Sequence, residues 1–326
     1  MNIGLNIGYS HTKAYAGIGR NVNFPSVTGT PDRAHFSLGG TEGIALLTPQ
    51  AALVGEEAVL QSRFLNRRED RAFTQSQEWY TLFLAALSEL TTGTPEAMIV
   101  TGLPVAFYAG DKETVKARLE GAHAFQREGR QRQTVTVTRA VVVPEPFGTL
   151  FDNLWDDSGK VSNPEVATGN VGVIDIGGKT TNILSVRRLK EIGRETASVN
   201  VGAWDVIRAV RGWLETECPK LELRDHEIVQ AVISGQVKYY GKPLNLNTII
   251  KPTLEHLSAQ IIAQAGQLWN GAAGLDSIII TGGGALLLGA YIQAHPDFPH
   301  ARVVSEPVLS NARGFWKYAR HLSGKA

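Results

Sequence analysis

The sequence predicts an α/β protein made of two domains of related design. Three observations lead there. At 326 residues the chain exceeds one ordinary hydrophobic core and suits two. A short apolar strand running into a turn of small residues occurs twice, as LNIGYSHTK from Leu5 and as IDIGGKTTN from Ile174, about half a chain apart. A third apolar strand runs straight into glycines and then a helical pattern, SIIITGGGALLLGAYI from Ser277.

Taken in order, the opening NIGLNIG alternates as a strand does, turns at Gly8, Tyr9 and Ser10, and resumes with TKAYAGIG, which predicts a β-hairpin. From Asn21 to about Thr74 the pattern is irregular, with Pro25, Pro31 and Pro49, and suggests a small inserted subdomain. Its charge run RFLNRREDR, Arg63 to Arg71, is expected to be a short basic helix on the surface. EWYTLFLAALSEL, Glu78 to Leu90, has helical apolar spacing and leads through Gly93 and Pro95 to a buried strand, AMIVTGLP. A helix is expected near Lys112 to His123. QTVTVTRAVVVPEPFGTLFDNL then reads as two strands, a Pro-Glu-Pro break and a helix from about Phe147.

The second half opens with VGVIDIGGKTTNILSV, and a helix follows Gly202 in VGAWD. Residues from about Leu223 to Tyr240 are expected to be helical, with Gly235 near one turn. Thr248 to Asn270 carries a long amphipathic helix pattern, broken or started at Pro252. LSNARGFWKYARHL supplies a last helix.

Lys and Arg total 32 against 31 acids, a formal charge of +1, so no global electrostatic case exists for wrapping nucleic acid or adhering to an anionic membrane. Cys218 is the single cysteine and cannot form an internal disulfide, and no Cys or His cluster has zinc spacing, which favours a reducing compartment. The N-terminus has no basic leader, and no stretch approaches the roughly 18 apolar residues of a membrane span. A cytoplasmic location and no membrane contact are expected.

Taken alone, Gly-Gly-Lys after a strand is an ordinary hairpin turn. The overlay of the two hairpins changes its meaning: Asn6 falls on Asp175, Gly8 on Gly177 and Thr12 on Thr181. Two equivalent hairpins, with a Pro-Glu-Pro break between them and a strand-glycine-helix after them, point to phosphate chemistry in a cleft that they face from two sides. Each turn can aim backbone N–H groups at phosphate oxygens, glycine permits close approach, and hydroxyls and a lysine add donors. A carboxylate at the strand end suits Mg²⁺ held through water. His11 is expected at the surface, and RFLNRREDR and REGRQRQ as solvated faces.

With these motifs in this order the chain resembles the actin/Hsp70/sugar-kinase ATPase superfamily, and within it the bacterial and archaeal actin-like proteins of the ParM/StbA plasmid-segregation class. The resemblance implies an actin-like, ribonuclease-H-like duplicated two-domain α/β ATPase fold with a nucleotide cleft between the domains. The implied domains are residues 1–147, with an insertion over about 26–75 and completion by 310–326, and residues 148–309, with an insertion over about 203–268. It places Asn6, Gly8, Tyr9, Ser10, Thr12 and Lys13 in the first phosphate hairpin, and Gly177, Gly178, Lys179 and Thr180 in the second. Asp175 is directed toward Mg²⁺ and Glu145 is the catalytic glutamate. Gly202 begins the helix under the sugar, Gly282, Gly283, Gly284 and Ala285 form the adenosine motif, and Ala312 and Gly314 are small packing positions.

One departure stands out: the family carries aspartate where this chain has Asn6. An amide still accepts a hydrogen bond from a metal-bound water but adds no charge, and a unit charge pair at about 4 Å is worth on the order of 4 kcal/mol at an effective dielectric near 20. Weakened Mg²⁺ binding or hydrolysis, or a metal carried by Asp175 alone, is therefore expected. The implied function is a filament-forming ATPase using ATP or GTP with Mg²⁺, self-associating and reaching plasmid DNA through an adaptor, with no direct nucleic-acid contact. A small-molecule kinase or a monomeric nucleotide-dependent regulator of the same superfamily is the alternative.

Overall fold

The computed structural model describes residues 1–31 and 43–324; residues 32–42 of the expected insertion and the last two residues of the expected closing segment lie outside the described residues. The chain divides into two compact units, Met1–Pro164 with Leu309–Ala326, and Glu165–Val308.

In the first unit, strands Asn2–Ile7 and His11–Tyr15 form the opening hairpin, and Asn21–Pro25 adds antiparallel outside it. On the other side Asn2–Ile7 pairs in parallel with Glu96–Leu103, which pairs in parallel with Gln133–Pro144. Alternation along the first strand decides which helix each side chain meets. Ile3 and Leu5 enter the core with Trp79, Phe83 and Leu87 of helix Gln77–Leu90, which is so apolar because it is buried on nearly every side. Gly4, pointing the other way, lies against helix Ser310–Ser323, whose Ala312 and Trp316 pack on Tyr15.

Helix Phe147–Leu154 belongs to this unit as well, so the boundary falls at Pro164 instead of 147. The reason is a buried ionic knot with the C-terminal helix. Asp152 accepts hydrogen bonds from Arg313 Nε at 2.8 Å, Arg313 Nη2 at 2.7 Å and Ser310 Oγ at 2.9 Å, and Lys317 Nζ lies 3.0 Å from Oδ1, the oxygen that also takes Arg313 Nε. Asn311 Oδ1 accepts from both the amide and the hydroxyl of Thr149, at 2.9 and 2.8 Å. Ala312 is fully buried, and Gly314 lies against the Gly148 carbonyl. Burial alone would raise the Asp152 carboxyl, but Arg313 and Lys317 hold it below its ordinary value of 3.8.

The inserted strands Thr28–Gly29, Ile44–Thr48, Ala52–Val54 and Leu65–Asn66 continue the sheet, because Ile44–Thr48 pairs with Gly121–Arg127. They carry a small core of their own from Val27, Ala45, Leu53 and Ala58. The charge run Arg63 to Arg71 is not a helix: it holds the short strand Leu65–Asn66 and a non-helical segment, tied by Arg68 to Asp70 at 2.5 Å and by a two-pronged contact of Arg71 with Asp111. It lacks the apolar stripe that would hold a helix against the sheet. The nearby helix is Glu56–Gln61. The segment expected as two strands before the Pro-Glu-Pro break is one strand, Gln133–Pro144, with a bulge between Val137 and Arg139. The helix expected near Lys112 to His123 is Val105–Leu119, and His123 lies on the strand after it.

The second unit repeats the plan. Asn170–Ile176 and Thr181–Arg187 form an antiparallel hairpin, followed sideways by Ser277–Thr281 and Ala301–Val303 in parallel. Ile174, Ile176, Ile183, Ile278 and Ile280 pack under helices Ala203–Glu217, Asn247–Leu268 and Ala285–Gln293, with Cys218 buried in the same core. The long helix contains Pro252 in its second turn. The stretch expected to be helical to Tyr240 stops at Gly235; helix Asp225–Ser234 is followed by a hairpin, Gln236–Tyr239 with Lys242–Asn245. No helix among the described residues is long and apolar enough to cross a membrane.

Asp152→Ala removes the buried carboxylate that Arg313 and Lys317 share, leaving Lys317 with Asp157 at 3.9 Å, and should cost about 3–5 kcal/mol in urea unfolding at pH 7. Because the folded carboxyl titrates below its unfolded value, this contribution is complete above the ordinary 3.8 and is lost as pH falls below it. A loss under about 1 kcal/mol, the worth of an exposed pair, would show that the knot does not hold the closing helix.

Candidate functional site

The second hairpin is built around its turn. Asp175 pairs across the strands with Asn182 and Ile176 with Thr181, and the turn closes by Gly177 N–H donating to Thr180 O at 2.8 Å. Helix Ala203–Glu217 starts directly on it: Ala203 N–H donates to Gly177 O at 3.0 Å and Trp204 N–H to Gly178 O at 2.8 Å. Gly202 permits this seating, since a Cβ there would overlap the Gly178 carbonyl. In a trans peptide the N–H points opposite to the preceding C=O. With the carbonyls of Gly177 and Gly178 turned into the helix start, the N–H groups of Gly178 and Lys179 are turned away from it, a pair of donors suited to an anion. Asp205 braces the junction by accepting from Gly202 N–H at 2.9 Å.

The glycine cluster wraps the same strand end. Gly282 has φ of +86°, and a Cβ there would lie 2.5 Å from Asp175 Oδ1. Gly284 N–H donates to Ile176 O at 2.8 Å, while Gly283 has open space beside it and Ala285 opens the helix. Asp175, Gly177, Gly178, Lys179, Thr180, Gly202 and Gly282 to Ala285 thus form one constellation in the second unit. Asp175 is buried at 3% exposure beside buried Asn182, whose Oδ1 accepts from Ser198 Oγ at 2.6 Å.

The first hairpin has the same register. Asn6 pairs with Lys13 and Ile7 with Thr12, and Gly8 N–H donates to His11 O at 3.1 Å. Ser10 O accepts from Ser26 N–H at 2.9 Å, which turns the His11 N–H the opposite way. Asn6 and Lys13 share one face of the sheet, so the cross-strand neighbour of this lysine is an amide and not a carboxylate. Thr12 is on the other face, fully buried, with its hydroxyl 3.0 Å from Ser26 Oγ, so its side chain is not brought together with Asn6 and Lys13. Glu145 is seated by its own N–H on Leu103 O at 2.7 Å.

Tyr9 packs on Phe73 with ring centres 5.2 Å apart. Burial raises its phenol, Arg71 opposes this, and Asp70, Glu145 and Asp111 raise it further, which places Glu145 within electrostatic reach of the first hairpin. His11 is half-buried, contrary to expectation: its Nδ1 lies 2.8 Å from Ser10 Oγ, and burial with the nearby cations Lys13 and Arg67 lowers its pKa to about 4. Ser26, Phe73 and Arg71 with Asp111 carry no motif and were invisible to sequence reasoning; Asp205, three residues after a glycine that opens a helix, was legible as a cap.

Among the described residues no group of three or more His, Cys, Asp or Glu is placed to hold a metal ion. A hard divalent cation would find one carboxylate in the second constellation, Asp175. That donor set fits Mg²⁺ held through water and through the phosphates of a bound ligand, not a cage of protein ligands.

Residues 4–148 match the family described as actin like proteins N terminal domain, and residues 173–294 match the archaeal actin homologue MreB-like C-terminal family. A curated archaeal actin homolog of Thermoplasma volcanium is 26% identical, covering 96% of this chain and 97% of its own. Among solved structures, an archaeal actin homolog in complex with ADP is 21% identical with a TM-score of 0.81, covering all of both chains at 100%. A 15-stranded ParM filament from Clostridium botulinum is 20% identical with a TM-score of 0.82, covering 98% of each chain. These likenesses establish the fold.

Gly202→Ala should push the helix start off the turn and speed amide exchange at Ala203 and Trp204 by about tenfold or more; unchanged protection would contradict the close approach. Since folded His11 titrates near 4 and the unfolded side chain near 6.5, stability should fall as pH drops across that interval. His11→Gln should remove that slope in urea unfolding, and an NMR titration of the ring should place its midpoint near 4.

Proposed function

A chain that joins an actin-like N-terminal domain to an MreB-like archaeal actin C-terminal domain belongs to the actin-like proteins, and on that premise we propose that it is a cytoplasmic ATPase that polymerises with bound nucleotide. The observation that carries this reading is the shared register of the two hairpins, each closed by the same glycine-to-turn hydrogen bond at the end of its unit's first strand. Each presents main-chain donors and a lysine, Lys13 or Lys179, as a phosphate clamp requires. The ADP complex of one structural relative favours an adenine nucleotide, and the filament of another favours assembly.

In this reading Gly8, Tyr9 and Ser10 of one turn and Gly177, Gly178 and Thr180 of the other contact the phosphates. Gly202 and Gly282 to Ala285 bring the main chain close to ribose and base. Mg²⁺, held through water by Asp175 and more weakly by Asn6, would neutralise phosphate charge. Glu145 orients the attacking water and takes its proton as the new O–P bond forms and the bond to the ADP oxygen breaks. Closing on nucleotide creates a surface for head-to-tail assembly. Attachment to plasmid DNA or other cargo runs through an adaptor, in keeping with the formal charge of +1.

High-speed sedimentation with Mg²⁺ and ATP, ADP or no nucleotide, with phosphate assayed in the same tubes, tests the proposal. ATP-dependent pelleting is expected. Glu145→Gln should keep it while slowing phosphate release about 100-fold or more, and Lys179→Ala should lose it at subsaturating ATP. Asn6→Asp should increase the Mg²⁺ affinity of the ATP complex. Protein that binds ATP yet stays in the supernatant at every concentration would sink the filament reading.

A further inference from the structure

At the other end of the second hairpin, where Asn170 pairs with Arg187, the surface opens into a cavity of about 750 Å³. Six residues of strand separate it from the turn at Gly177, roughly 20 Å at about 3.3 Å per residue. Arg187, Arg188 and Lys190 line it, and all three are exposed. None of their side chains pairs with an acid among the described residues. The one carboxylate in the lining, Asp276, accepts from Asn170 N–H through Oδ2 at 2.7 Å and keeps its charge, so three cations share the lining with one anion.

The rim is firmly tied. Asp276 N–H donates to Asn170 O at 2.8 Å, Asn170 Nδ2 to Gly274 O at 3.2 Å and Arg188 N–H to Gly169 O at 3.0 Å. Arg188 itself has φ of +50° and Leu189 of +63°, conformations that side chains other than glycine adopt at a cost. Three cations beside a single carboxylate leave a local excess of positive charge, which a bound anion offsets.

We propose that this cavity is a second anion site, separate from the phosphate hairpins, that takes a compact polyanion carrying two or more phosphate groups. Two guanidinium forks and an ammonium match such a ligand in number of donors and in charge. The depression is open to solvent, so charge and hydrogen bonds at its rim, not enclosure, would hold the ligand. An extended polyanion such as nucleic acid is disfavoured, because exposed Glu191 stands next to Lys190 and exposed Glu165 near Gly169.

Inorganic pyrophosphate, titrated calorimetrically into the full chain at constant ionic strength, tests the site. Saturable binding should persist in Lys179→Ala and weaken tenfold or more in Arg187→Ser/Arg188→Ser/Lys190→Ser, three exposed substitutions that leave the core intact. Binding untouched by the triple variant but lost in Lys179→Ala would assign all of it to the hairpin and overturn the proposal, as would no saturable binding. Binding of poly-glutamate but not of pyrophosphate would also overturn it, in favour of an acidic protein segment. If the nucleotide reading fails, Lys179→Ala simply has no effect, and the triple variant still decides the second site.

Discussion

The second unit's chemistry depends on one contact, the seating of a helix start on the carbonyl oxygens of Gly177 and Gly178. Two hydrogen bonds settle several things at once. They satisfy helix amide groups that would otherwise lack partners. They hold the turn rigid, and through peptide planarity they aim the next two N–H groups the opposite way. They also force the residue before the helix to be glycine and set the place of Asp205, which closes the junction. The glycine cluster from Gly282 then follows the same strand end at backbone distance, so three segments far apart in sequence converge on Asp175.

Much of this was legible in the chain because it is written in local signals. Both hairpins, the Pro-Glu-Pro break, the glycine-opened helices and the duplicated plan follow from strand alternation and from where glycine and proline stand. Thr12 shows the limit of reading by resemblance. Placed in a hairpin full of polar residues it looks like a phosphate ligand, but alternation sets it on the face opposite Asn6 and Lys13, and its hydroxyl meets Ser26. That partner, supplied by a neighbouring strand's end, has no signature of its own.

The other misreadings have similar causes. The arginine run from Arg63 has helical composition but no face to bury, so pairing with Thr28 and Gly29 and the ion pair to Asp111 decide its course. The bulge after Val137 joins what alternation reads as two strands, and the hairpin beyond Gly235 interrupts what spacing reads as one helix. The domain boundary moved because a long-range knot, Asp152 with Arg313 and Lys317, cannot be seen in any window of sequence.

That knot also sets an order for synthesis. The second unit is one continuous stretch, Glu165–Val308, with all its strands and helices in hand once that stretch has left the ribosome. The first unit emerges earlier yet lacks helix Ser310–Ser323, and until that helix is made the faces of Tyr15, Val100 and helix Phe147–Leu154 that it covers have no partner. A nascent chain therefore carries an uncovered apolar surface, and Asp152 lacks the cations of that helix, for the whole time the second unit is being translated. Transiently exposed apolar surface of this kind is what makes folding intermediates prone to aggregate.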